Sequence, residues 1–154
     1  MPTVVVAGIT AGVAGAVIVD AYLIVVFVAI LHSASIGSFY QFVASGAIGK
    51  AAYAEPAAAY LGITVHVLVS LAWGIGYAYV AARTPQVLGR PLLSGVAFGF
   101  VVMLAMQLVE VAAGIYTLPT TASLGNDIVA HTAFFGVPVA YVVSSRLSKA
   151  GAAG

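Results

Sequence analysis

The chain has no cysteine and very little charge: five Lys and Arg, four Asp and Glu, in 154 residues. Without cysteine there is no disulfide, no thiolate metal site and no thiol nucleophile. Charged residues are 6% of the chain, where a soluble domain carries roughly 25%. So few charges could not cover a water-facing surface of this size, which excludes the soluble, disordered and fibrous classes. There is no basic run, and the net charge is only +1, so nucleic acid is not an expected partner. Lipid-anchor motifs and internal repeats are also missing. The start, Met1-Pro2-Thr3-Val4, has no positive n-region and is not read as a cleaved signal peptide. What the chain has in quantity is apolar residues, 63% of the total, and these indicate an integral membrane protein.

Spanning a bilayer takes about 20 mostly apolar residues. Four stretches qualify: 4–31, broken only by Asp20; 57–82, with one histidine; 92–116, broken only by Glu110; and 128–145. Two short polar connections separate the later stretches. Pro91 suits the first turn of a helix, where its missing N–H costs little. Asn126 or Ser123 is the expected cap of the fourth helix. The segment 36–54 mixes Phe39, Tyr40, Phe42 and Tyr53 with Gln41, Ser45 and Lys50, which predicts a short interfacial helix between the first two spans. The expected fold is therefore all-α: a polytopic, single-domain, up-down bundle of four transmembrane helices.

Arg83, Arg90, Arg146 and Lys149 fall in the second connection and the tail, which an even number of spans puts on one side. The positive-inside rule predicts a plasma-membrane protein with both termini cytoplasmic.

The other ionisable groups are Asp20, Glu55, Glu110, Asp127, His32, His66 and His131. Asp20 is expected near mid-span. His66, Glu110 and His131 are expected about 6–10 Å outward of it, at about 1.5 Å per residue. At helical period Gly95, Gly99, Met103, Met106 and Glu110 share one narrow arc, so Glu110 points at a neighbouring helix. Gly62, His66, Ser70, Trp73 and Tyr77 share another, and Asp127 stacks on His131 one turn away. Gly8 with Gly12, and Gly95 with Gly99, form small-residue faces that let backbones approach. On that basis Gly99→Leu should disturb the bundle more than Val101→Leu.

An ionised group in hydrocarbon costs roughly 2.5–3.5 kcal/mol on insertion scales, so Asp20, Glu110 and Asp127 are expected as buried polar groups turned inward. A structural role is the plain alternative. Glu110 could satisfy His66 or His131 and fasten the bundle, Asp20 could bind a hydroxyl or backbone group, and His32 could snorkel to the interface.

Several local patterns carry a resemblance. Gln41-Phe-Val-Ala-Ser-Gly-Ala-Ile-Gly49 looks like a Q-x-I-A-S-G-L-L-G stretch. Leu61-Gly62-Ile-Thr-Val-His66 resembles an L-G-L-x-x-H start to the second span. His131, followed by Gly136-Val-Pro138-Val-Ala140, resembles a closing H-x-x-x-x-G-L-P-I-A. Together, over about residues 35–146, the chain is similar to an uncharacterised family of small four-span bacterial inner-membrane proteins. The resemblance implies four spans and importance for the 41–49 turn, His66 and His131; it implies no activity.

Three functions compete. The first is a non-catalytic bundle, an accessory subunit or small-ligand-binding protein, partnered by the lipid bilayer and by itself or a larger membrane complex. Its support is the lack of any nucleophile–base set, phosphate-cradling loop or dedicated metal motif. The second is an electron-transfer protein with haem b held between His66 and His131, with Gly62 and Gly99 making room for the macrocycle. A metal held by His66, Glu110 and His131 is its variant. The third is a proton-coupled transporter using Glu110.

Overall fold

The computed structural model describes residues 2–152, and all regular structure among them is helical. Hydrocarbon offers no hydrogen-bond partners, so an apolar run of this length satisfies its N–H and C=O groups internally as a helix. Four helices are long and apolar enough to cross a membrane: Thr3–Ile30, Ala58–Arg83, Pro91–Ala112 and Thr121–Ala150. They are the first to fourth spans below.

Three boundaries differ clearly from the sequence expectation, one of them the end of the fourth span, which runs to Ala150 and past the expected residue 145. The third span ends at Ala112, not at residue 116. Gly114 takes a left-handed φ of 69°, and the Ile115 N–H returns to the Glu110 carbonyl at 3.0 Å, which is how a glycine-stopped helix satisfies its last carbonyls. The fourth span begins at Thr121, ahead of the expected residue 128. Its cap is Thr120, whose hydroxyl accepts from the Ser123 N–H at 3.2 Å, and neither Ser123 nor Asn126 plays that part. The first turns of this helix are polar, so apolarity alone does not reveal them. Two π-helical stretches interrupt the regular spans, Ile24–Ile30 and Ala130–Gly136. His131 lies in the second.

The first span packs along the second and the fourth, and the third packs on the fourth. Glycines set how close these pairs come. A Cβ on Gly12 would lie 2.6 Å from the Ser70 carbonyl, and one on Gly95 would lie 2.7 Å from the Val137 Cα. Gly99 meets the backbone of His131 and Thr132 in the same way. Both small-residue faces read from the sequence are thus helix–helix seams. Gly99 is buried at its seam, while Val101 is 55% exposed on the outside.

The second and third spans make no comparable seam. Near the Arg83–Arg90 connection they are joined by side chains: Tyr77 shares a hydrogen bond with Ser94 at 2.8 Å, and Phe98 packs edge-on to Trp73, tilted to Tyr77 and stacked on Phe135 of the fourth span. The second span touches the fourth along Val137–Ala152, the half nearer this end. The C-terminal helix is tied down there by Ser144, which donates to the Leu88 carbonyl at 2.9 Å. Arg83, Arg90, Arg146 and Lys149 therefore gather at one end of the bundle.

At the other end a short helix, Ile36–Ile48, connects the first two spans. Ser35 and Ser38 cap it reciprocally. Its Tyr40 carbonyl seats on Gly62 of the second span, and Gly46 reaches Val109 of the third. The helix thereby bridges the second and third spans where they diverge. The following turn, Gly49–Tyr53, is held by Gln41, whose amide donates to the Ala52 and Glu55 carbonyls, both at 3.1 Å.

Candidate functional site

The divergence of the second and third spans leaves a cavity of about 580 Å³. Val19, Leu23 and Phe27 of the first span, Trp73 of the second, Met103 and Met106 of the third, and Phe135 of the fourth make its apolar walls. Phe39 and Phe42 of the connecting helix close one side, and residues 115–123 reach across the end. The polar groups on it are chiefly Ser70, Gln107, Glu110, Asp127, His66 and His131.

His66 comes from the second span, and its Nε2 lies 2.9 Å from Asp20 Oδ1 of the first. Side-chain exposures of 19% and 18% show that both are largely withdrawn from the surface. The other carboxylate oxygen of Asp20 accepts from the Tyr40 hydroxyl at 2.9 Å. Tyr40 is held there because its own carbonyl rests on Gly62, one helical turn before His66. Burial, and secondarily the Asp20 carboxylate, push the Tyr40 phenol from the ordinary 10.0 up to about 12. Three segments are thus joined by one carboxylate with two partners.

His131 sits on the opposite wall. Its Nδ1 lies 2.9 Å from the carbonyl of Asp127, one turn earlier. A carbonyl oxygen can only accept, so in the neutral ring Nδ1 carries the proton and Nε2 keeps its lone pair. Beside it Tyr22 donates to Asn126 Oδ1 at 2.9 Å and stacks on Phe134 with ring centroids 4.0 Å apart. These contacts tie the first span to the fourth.

Several expectations are corrected. The partner of His66 is Asp20, not Glu110; Asp20 does bind a hydroxyl, that of Tyr40, and in addition faces the His66 imidazole. The carboxylates of Glu110 and Asp127 both line the cavity and have no hydrogen-bond or ion-pair partner among the described residues. Asp20, Glu110 and Asp127 are partly exposed; among the described residues the buried polar side chains are Ser45, Ser70 and Thr132. Among the described residues no three His, Asp or Glu side chains form a group that could hold a metal ion, so His66, Glu110 and His131 are not assembled as a ligand set. Gly62 and Gly99 make no room for a macrocycle, because the Tyr40 and His131 carbonyls occupy the space beside them. His32 is exposed past the end of the first span with a left-handed φ of 48°.

Tyr40 is the site residue that sequence reasoning missed. Its signal was present but ambiguous, since a tyrosine in an aromatic connecting segment reads equally well as an interfacial anchor.

No family model, no curated protein and no solved structure matches the chain.

Proposed function

We propose that this protein is a non-catalytic membrane protein that binds a small, largely apolar ligand between its second and third spans. The observation that carries this reading is the cavity. Its volume falls in the roughly 300–1,000 Å³ range of small-molecule sites. Its walls are mostly aliphatic, aromatic and thioether, with a few polar groups, the composition expected where a ligand is oriented by one polar end. The Tyr40–Asp20–His66 and Tyr22–Asn126 contacts brace the walls independently of any ligand. The basic end, with the resemblance to four-span bacterial proteins, supports a bacterial inner membrane with both termini cytoplasmic. Assembly with itself or with a larger complex belongs to the same proposal.

Native mass spectrometry of protein released gently from membranes tests the reading. A small-molecule adduct is expected at one per chain, and Val69→Trp, which fills the cavity, should abolish it. A wild-type protein without adduct, or a variant that retains it, would count against the site. A reporter fused to the C-terminus tests the orientation: alkaline phosphatase should stay inactive there and a green fluorescent protein should shine.

A second reading, haem b between His66 and His131, is favoured by one observation: both imidazoles line the same cavity, and His131 keeps Nε2 unbonded. An absorption spectrum before and after dithionite decides it. A Soret band that shifts on reduction and is lost in His131→Ala supports haem, and a flat visible spectrum from haem-replete cells removes it.

A further inference from the structure

The cavity holds an asymmetry of charge that narrows what it can take. Glu110 of the third span and Asp127 of the fourth both line it, and neither carboxylate has a hydrogen-bond or ion-pair partner among the described residues. No Lys or Arg lines it. Of the two imidazoles on its walls, His66 pairs with Asp20, and His131 is held at Nδ1 by the Asp127 carbonyl and keeps only Nε2 free. An anion would find no fixed positive charge here and would meet two carboxylates. A cation would find both, together with the aromatic rings of Trp73, Phe39 and Phe42, a residue type whose faces attract positive charge through the ring quadrupole. Both carboxylates are only partly exposed, so that attraction is screened less than it would be at an open surface.

We infer that the ligand is a lipophilic organic cation, its charge against Glu110 and Asp127 and its apolar body along Trp73, Phe39 and Phe42. The inference rests on the ligand-binding reading above and adds the chemical class. It is an equilibrium binding proposal and involves no covalent or redox step.

Trp73 supplies the readout. It is the only tryptophan in the chain and it lines the cavity, so its emission reports occupancy without a label. The full chain in neutral-lipid nanodiscs would be titrated with tetraphenylphosphonium and with tetraphenylborate, ions of like size and opposite charge, and with neutral tetraphenylmethane. Saturable quenching by the phosphonium is expected, with affinity at least tenfold above that for the borate. Glu110→Gln should weaken phosphonium binding about tenfold, a loss of about 1.4 kcal/mol. Glu55→Gln, an exposed carboxylate away from the cavity, should leave it unchanged. Borate or the neutral probe binding as tightly as the phosphonium would overturn the cation and leave the ligand site standing. Undiminished phosphonium binding in a double Glu110→Gln, Asp127→Asn variant would do the same. No saturable response to any of the three probes would overturn both. The comparison of the three probes in the wild type holds even if a variant fails to fold.

Discussion

The Asp20 carboxylate and the His66 imidazole stand 2.9 Å apart across the first and second spans, and the second oxygen of the same carboxylate takes the Tyr40 hydroxyl at the same distance. One acidic group therefore fastens two spans and the connecting helix that closes the cavity. Breaking the Tyr40–Asp20 hydrogen bond leaves a polar group withdrawn from water and costs about 1–3 kcal/mol. Asp20→Asn and Tyr40→Phe should each lower thermal stability in detergent. Because they share a partner, their effects should not add: a double-variant cycle should show a coupling of about 0.5–3 kcal/mol. Strict additivity would mean that Tyr40 does not act through Asp20.

The raised pKa of Tyr40 carries a pH signature. In the unfolded chain the phenol ionises near 10, and in the folded protein near 12. Between those values the folded state holds a proton that the unfolded state has lost, so stability must fall as pH rises through this window. Below pH 10 the contribution is complete. The melting temperature of the wild type should drop more steeply between pH 10 and 12 than that of Tyr40→Phe. Parallel curves would remove the linkage.

Gly99 and Gly76 both sit inside spans, yet they should answer alanine in opposite directions. A Cβ on Gly99 would run into the His131 carbonyl and the Thr132 backbone, whereas one on Gly76 meets nothing within 4 Å. Overpacking costs typically about 1–3 kcal/mol, and relief of a helical glycine gains roughly 1 kcal/mol. Gly99→Ala should melt earlier than the wild type and Gly76→Ala no earlier. The same loss in both would mean the seam is not as tight as described.

His32 supplies a control outside the site. It holds a left-handed backbone, φ 48°, that costs a side chain roughly 1–2 kcal/mol. His32→Gly should leave the melting temperature unchanged or slightly raised. A drop of several degrees would reveal a contact by the imidazole that the structure does not contain.

The spans, their number and their small-residue seams were legible in the sequence, because hydrocarbon length and helical period are local properties. Gly95 and Gly99 could be placed on one face from spacing alone, since 3.6 residues per turn holds whatever the neighbour is. The gathering of Arg83, Arg90, Arg146 and Lys149 at one end followed from counting spans. The partners did not follow. Glu110 and Asp20 are both carboxylates inside helices, and nothing local says which of them meets His66. That depends on which helices pack, at what relative height and rotation, and on a connecting helix whose Tyr40 arrives only because Gly62 leaves room for its backbone. The early stop of the third span and the polar start of the fourth were obscured for a different reason: composition marks what lipid accepts, while Gly114 and Thr120 end and begin helices through backbone geometry and a single hydroxyl. The cavity belongs wholly to the tertiary structure. It exists because the second and third spans lack a glycine seam with each other and are bridged by the connecting helix Ile36–Ile48, a relation among three segments that no stretch of sequence contains.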